Sequence, residues 1–191
     1  LISRLQQLEP LAFVIGHSEF YGRQFNVTPD VLIPRPETEL LIDEALSWFK
    51  EKEEPNLILD VGTGSGCIAL TLLAEWKRAF SVMTDNSYVA LKVAKMNAES
   101  LGIERISLVN CHLADPLYQR FDLVCANLPY IPTQAVKTLP HAIYEPHNAF
   151  DGGTNGVDLM VELIQKLPNL VTHKSLVLME FQFDQGNLLR E

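Results

Sequence analysis

The sequence predicts an α/β protein: a mostly parallel sheet with helices on both faces. Three observations lead there. From residue 56 onward, strand-like and helix-like segments alternate. The strand-like segments are short and apolar, as strands covered on both faces must be. Finally, the segment 67–74 has helical length but is apolar nearly all round, which suits a helix buried in a layered core. Right-handed crossovers between parallel strands then bring the loops that follow the strands to one edge of the sheet.

In chain order, residues 2–8 read as the tail of a helix. Residues 1–18 are assigned to the end of a preceding domain, and residues 19–191 to the main domain. Residues 19–21 and 25–27 read as a short hairpin around Gly22-Arg23. Pro36 suits the first turn of a helix, with Glu37 and Glu39 near the positive end of its dipole. Leu41, Ala45, Trp48 and Phe49 then recur at helical spacing and give one apolar face. Strands are expected at 57–59, 80–84, 106–109, 121–126 and 176–181, and helices at 67–74, 88–101 and 157–167. The helix at 88–101 sets Val89, Val93 and Met96 against Lys92, Lys95 and Glu99 on the opposite face.

The 191 residues, 47% hydrophobic and 20% charged, suffice for one domain with a sizeable core. The chain begins at Leu1 and ends at Glu191 within a helical pattern, so it is expected to be part of a longer protein. No stretch is apolar for long enough to span a bilayer, and no charged-then-apolar signal segment opens it, which predicts a cytoplasmic location. Cys67, Cys111 and Cys125 form no CxxC pair and are odd in number, as reduced buried thiols would be. The five histidines are scattered singly, and no metal site is expected. A net charge of −9 argues against a broad basic surface for nucleic acid.

Four places carry chemistry. The first is Asp60-Val61-Gly62-Thr63-Gly64-Ser65-Gly66, between the first strand and the first buried helix. Alternate glycines let the backbone turn tightly and approach a ligand, and the helix N-terminus behind them offers free N–H groups. Position 67 is Cys and no Lys follows, so the loop matches neither the dinucleotide fingerprint nor a phosphate-binding P-loop. It suits a nucleoside ligand with little or no phosphate. A plain turn is the competing reading, and three alternate glycines after a strand-end Asp weigh against it. The second place is Asp85, about twenty residues further on, where a carboxylate can accept both ribose hydroxyls; helix capping is its competing role, which Asn86 or Ser87 can fill. The third is Asp115-Pro116, whose Asp could meet an adenine amino group. The fourth is Asn127-Leu128-Pro129-Tyr130, after an apolar strand. The Asn127 side-chain oxygen and the Leu128 carbonyl can each accept one N–H of a planar –NH2 group, and Tyr130 can stack on it. Holding both protons in plane directs the nitrogen lone pair out of it, so orientation supplies much of the catalysis. No strong base is needed against a sulfonium, because the proton can leave after transfer. Arg35, between Pro34 and Pro36, is placed beside the site, with helix capping as its alternative.

Four segments together resemble the HemK/PrmC family of protein-(glutamine-N5) methyltransferases. They are Phe20-Tyr21-Gly22 with the run at 27–39, including Ile33-Pro34-Arg35-Pro36-Glu37-Thr38-Glu39; the loop at 60–66; Asn127-Leu128-Pro129-Tyr130; and Glu145-Pro146 with Phe150-Asp151-Gly152-Gly153. The proline-rich run is the most family-specific, and the glycine loop alone marks the wider class of S-adenosylmethionine-dependent methyltransferases. The resemblance implies a Rossmann-like class I domain that follows a helical substrate-recognition domain, here nearly all absent, and puts the fold's last strand pair after Glu191. It implies methylation of the glutamine in the Gly-Gly-Gln motif of peptide chain release factors, the expected partners. Carried over, Gly62, Thr63, Gly64, Ser65, Gly66 and Asp85 hold S-adenosyl-L-methionine, with Asp115 and Pro116 beside the adenine. Asn127 bridges cofactor and substrate, and Asn127, Leu128, Pro129 and Tyr130 grip the glutamine amide, with Arg35 on the substrate side.

Three departures stand out. Leu128 replaces the usual proline of Asn-Pro-Pro-Tyr, Pro116 sits where the family often has an aromatic residue, and Phe181-Gln182-Phe183 replaces an Ile-Gly-aromatic run. Asn-Leu-Pro-Tyr also resembles the motif of ribosomal-RNA dimethyladenosine transferases, so N6-adenine methylation of DNA or RNA is the alternative activity. The acidic charge and the proline-rich run favour the protein substrate. A domain that binds S-adenosylmethionine without catalysis is a third reading, which the intact Asn127 opposes.

Overall fold

The structure, a computed structural model, describes residues 2–138 and 143–189. Leu1 and Glu191, the outer limits of the two predicted domains, lie outside the described residues, as does the chain end expected to be helical. Two short helices, α1 (Ile2–Gln6) and α2 (Leu11–Ile15), lead into an antiparallel hairpin of β1 (His17–Phe20) and β2 (Arg23–Asn26). The hairpin starts at His17 rather than residue 19. It turns on Tyr21-Gly22, both with left-handed backbone, rather than on Gly22-Arg23. A 3-10 turn at Pro36–Thr38 opens α3 (Glu39–Phe49), where proline's fixed φ suits the first turn.

The main domain then alternates as expected: β3 (Leu57–Val61), α4 (Cys67–Glu75), β4 (Phe80–Asp85), α5 (Tyr88–Ser100), β5 (Ile106–Asn110) and β6 (Phe121–Ala126). After a short α6 (Thr133–Val136) come α7 (Asp158–Leu170) and β7 (Val171–Met179). Strands β3 to β7 form one sheet in the order β5-β4-β3-β6-β7, and every neighbouring pair is parallel. The sequence stopped the last helix at 167, ahead of Pro168, but α7 continues past that residue. Pro168 removes one helical donor, yet Leu170 beyond it is buried, and Arg120 donates to the carbonyls of Pro168 and Val171 at the helix end. Strand β7 accordingly starts at Val171, well before residue 176.

Two apolar layers flank the sheet. Strand residues alternate between them with the period of two that a pleated strand imposes. Ile58, Met83, Leu123 and Cys125 face α3, α4 and α5. Leu59, Val61, Val82, Val124 and Ala126 face Met160, Leu163 and Leu170 of α7. Phe13 of α2, with Val27, Val31 and Ile33, packs on Ala90 and Val93 of α5, which ties the N-terminal segment to the sheet domain.

Two helix faces differ from expectation. In α5 the buried face is Ala90, Leu91, Val93, Ala94, Asn97 and Ala98, whereas Val89 and Met96 are exposed. Small residues let α5 approach the neighbouring layer closely, so burial follows them rather than the larger apolar side chains. In α3 the fully buried positions are Ile42 and Ala45, beside Leu41. Trp48 faces outward, with the Lys52 ammonium 3.2 Å from its ring centroid.

Candidate active site

A cleft opens where the strand order reverses. β3 has β4 on one side and β6 on the other, so the loops after β3 and β6 diverge at the carboxyl edge of the sheet. The cleft is about 970 Å3, its open mouth included. Its walls include five segments distant in sequence, joined by Pro146, Asn148 and Ala149 and by Leu159: Gly62, Thr63, Gly64 and Ser65 after β3; Asp85 at the end of β4; His112 and Leu113 after β5; Asn127, Leu128 and Pro129 after β6; and Pro34, Arg35 and Thr38 from the proline-rich run.

The glycine loop is held from three sides. The N–H groups of Gly62 and Thr63 both donate to the Thr84 carbonyl at 2.9 Å, which pins the turn to the end of β4. Gly62 has a φ of 72°, and a Cβ there would stand 3.0 Å from Leu128 Cδ2, so the loop and the tetrapeptide touch. From α5, the buried Asn97 donates to the Ser65 carbonyl (2.8 Å) and the Asn26 carbonyl (3.0 Å), and accepts from the Asn26 N–H (2.7 Å) and side chain (2.9 Å). All four of its hydrogen-bonding capacities join β2 to the loop. Sequence reasoning missed Asn97; an Asn in the middle of a small-residue helix face was the available signal. Asp60, fully buried under the loop, accepts from the Thr63 hydroxyl at 2.5 Å and the Ala69 N–H at 3.4 Å. Burial pushes its carboxyl up to about 6, against these two hydrogen bonds.

Asp85 spans the loop and the next helix. Its Oδ2 accepts from the Gly64 N–H at 2.9 Å and its Oδ1 from the Ser87 N–H at 2.8 Å. Burial raises this carboxyl, and the two N–H groups pull it back. Ser87 itself caps α5, its hydroxyl accepting from the Ala90 N–H at 3.2 Å. Asp85 therefore does not cap α5, and each of its oxygens keeps acceptor capacity beyond these two bonds.

The tetrapeptide is equally well held. Asn127 Nδ2 donates to Thr38 Oγ1 at 2.9 Å, joining it to the proline-rich run. Leu128 is buried against Gly62. Tyr130 does not line the cleft; its hydroxyl donates to Glu180 Oε1 at 3.2 Å. Burial and the Glu180 charge push the phenol up to about 12. Behind the turn, a Cβ on Gly152 would lie 2.5 Å from the Pro129 carbonyl and 2.8 Å from Tyr130 Cα, so only glycine admits this backbone approach. Gln185, also buried, donates to the Tyr130 carbonyl at 2.6 Å. Gly152 lies in the Phe150-Asp151-Gly152-Gly153 segment of the family resemblance, whereas neither Glu180 nor Gln185 stood out in the sequence.

Arg35 reaches the cleft wall and pairs with Glu145 at 2.6 Å; the other Glu145 oxygen accepts from the Ile33 N–H at 3.0 Å. Asp115 and Pro116 are not brought to the cleft. Asp115 pairs with Lys166 at 2.6 Å in a separate shallow depression, and His112 and Leu113 stand at that end of the cleft instead. Strand β5 runs to Asn110, so the loop residues nearest the strand end are 111–113. Leu113 holds a left-handed backbone (φ 46°), uncommon for a residue with a side chain. Among the described residues, no cluster of His, Cys, Asp or Glu is arranged to hold a metal, and no helix is long and apolar enough to cross a membrane.

The walls suit S-adenosylmethionine. They offer the Asp85 carboxylate and a close-approach glycine backbone, while the guanidinium among them is already paired with Glu145. A carboxylate acceptor with no free cation beside it among the described residues suits ribose hydroxyls rather than phosphate. The solved catalytic domain of hMettl16 aligns with a TM-score of 0.65 at 15% identity, covering 98% of this chain and 81% of that one, and shows the shared fold. Fold and cleft together define a class I methyltransferase domain, the class whose cofactor is S-adenosylmethionine. The methyltransferase small domain family matches residues 38–146. The release factor glutamine methyltransferase of Geobacter sulfurreducens is 38% identical over 189 residues, covering 97% of this chain and 65% of its own length. That of Bordetella pertussis is 35% identical over 188 residues, covering 95% and 68%. The chain belongs to the release factor glutamine methyltransferase family, within the methyltransferase small domain. It spans about two thirds of the length of these relatives.

Proposed function

We propose that the whole protein is cytoplasmic and methylates the side-chain amide nitrogen of the glutamine in the Gly-Gly-Gln motif of peptide chain release factors. One observation carries the reading: Asn127, Leu128 and Pro129 share a cleft with the glycine loop and Asp85. An amide acceptor and a nucleoside site are thereby brought together. The names of the similar relatives supply the substrate class.

When bound, S-adenosylmethionine supplies an electrophilic methyl group on a sulfonium. The residues of the chain do the rest. Asp85 would accept the ribose hydroxyls, the loop 62–66 would hold the nucleoside, and His112 and Leu113 would line the base. Asn127 Oδ1 and the Leu128 carbonyl each accept one N–H of the target amide. With both protons held in plane, the nitrogen presents its lone pair to the methyl group, and orientation replaces basicity. The N–CH3 bond would form as the S–CH3 bond breaks, the electron pair staying on sulfur to leave a neutral thioether, and the nitrogen would then lose a proton to solvent. Arg35 and Glu145 close the substrate side.

Asn127→Ala tests this directly. Transfer is expected to fall by at least about 100-fold, as when a group that aligns the reacting atoms is lost. Calorimetric binding of S-adenosylmethionine should remain measurable. Unchanged turnover in the variant would remove Asn127 from the reaction. Leu128 favours one second reading, N6-adenine methylation, because an aromatic –NH2 presents the same two donors to the same two acceptors. The net charge of −9 weighs against a nucleic-acid substrate.

A further inference from the structure

Glu180 follows β7 and extends its pairing with β6: its N–H donates to the Ala126 carbonyl at 3.0 Å, next to Asn127. Its Oε1 accepts from Tyr130, while its Oε2 is buried without a hydrogen-bond partner among the described residues. A buried carboxylate oxygen left unmet is costly, so a nearby donor is called for. Two side chains of the site can supply it: the buried Thr38 hydroxyl, which accepts from Asn127 Nδ2, and the Asn127 NH2 itself. Burial raises the Glu180 carboxyl, and Thr38, Tyr130 and Asn127 hold it down.

A hydroxyl has one proton to give, and an ionised carboxylate can only accept. If Thr38 donates to Glu180, its oxygen is free only to receive. Asn127 must then turn its NH2 toward Thr38 and its carbonyl oxygen away from it. We propose that Glu180 and Thr38 are positioning residues that fix the Asn127 amide with its oxygen toward the target nitrogen. This rests on the methyl-transfer reading above. It explains why the proline-rich run and the end of β7, far apart in sequence, meet behind the tetrapeptide. Without the relay, half of the amide orientations would set an NH2 against the NH2 of the substrate, donor to donor.

The test uses the whole protein with 15N-labelled asparagine. The Asn127 side-chain amide signal is identified by its loss in Asn127→Asp. Thr38→Val removes the hydroxyl at nearly constant shape, Thr38→Ser keeps it, and Glu180→Gln removes the acceptor-only end. In Thr38→Val and Glu180→Gln the Asn127 amide signal should move. Turnover on a Gly-Gly-Gln protein should fall by about 10- to 100-fold. The Kd for S-adenosylmethionine should stay within about twofold, and Thr38→Ser should restore both signal and rate. If Thr38→Val does not fold, Glu180→Gln alone carries the comparison. An unmoved amide signal, or a moved signal with wild-type turnover, overturns the inference. Should the wild type methylate no Gly-Gly-Gln protein, the substrate reading fails; the amide signal still decides the positioning role.

Discussion

Asp85→Asn separates the structural from the functional work of the cleft. The carboxylate accepts two backbone N–H groups, from Gly64 at 2.9 Å and from Ser87 at 2.8 Å. An asparagine keeps one acceptor oxygen, so its NH2 must meet one of these N–H groups donor to donor. Losing a hydrogen bond to a charged acceptor costs about 1.5–3 kcal/mol. Part of that is returned to stability, because burial disfavours the Asp85 charge that the substitution removes. No such return applies to a ribose hydroxyl that depends on the same carboxylate. The Kd for S-adenosylmethionine should therefore rise by about 10- to 150-fold, while folding stability falls by less than the full loss. Calorimetric titration gives the first quantity and urea denaturation the second. A variant with lowered stability and unchanged affinity would leave Asp85 a purely structural residue and refute its place at the ribose.

Other expectations follow from the same geometry. Gly152→Ala forces a Cβ against the Pro129 carbonyl and Tyr130 Cα, backbone atoms that cannot swing aside. It should cost about 1–3 kcal/mol of stability in urea denaturation and reduce transfer more than cofactor affinity; wild-type turnover would contradict the buttress. Leu128→Ala keeps the backbone carbonyl but empties a buried site, so stability should fall by about 2–5 kcal/mol while the folded enzyme still transfers methyl. Loss of transfer in a folded, cofactor-binding variant would show that the leucine side chain matters. The Asp60 carboxyl stands at about 6 in the fold against an ordinary 3.8. The unfolded chain gives up that proton first, so Asp60 destabilises the fold increasingly as pH rises from 3.8 towards 6, then by a constant amount. Asp60→Asn removes this dependence. Its stability relative to the wild type should improve by about 2 kcal/mol between about pH 4 and pH 7. An equal difference at both pH values would refute the buried charge.

The fold was largely legible because its strands are continuously apolar and its glycine loop sits between one of them and a buried helix. Glycine loop, Asp85 and Asn127 were legible for the same reason: each stands at a strand end, and parallel topology brings strand ends together. What escaped was set by packing across long sequence distances. Asn97 looks like a polar residue on an amphipathic helix until β2 and the loop fold over it. Glu180 and Gln185 meet the tetrapeptide just after β7, a strand that starts at Val171 rather than 176 because α7 runs through Pro168 to Leu170. Asp115 lies beyond the cleft because β5 runs to Asn110 and the turn at 111–113 is what reaches the wall, a placement set by the end of the strand rather than by residue type.

The acceptor nitrogen separates a glutamine side chain from an adenine. The whole protein should be incubated with S-adenosylmethionine and, in parallel, with a release factor carrying Gly-Gly-Gln and with adenine-containing DNA and RNA. Fragment mass spectrometry then locates any methyl group. One methyl group is expected on the glutamine side-chain nitrogen of the release factor and none on nucleic acid. Methylated adenine with an unmodified release factor would contradict it.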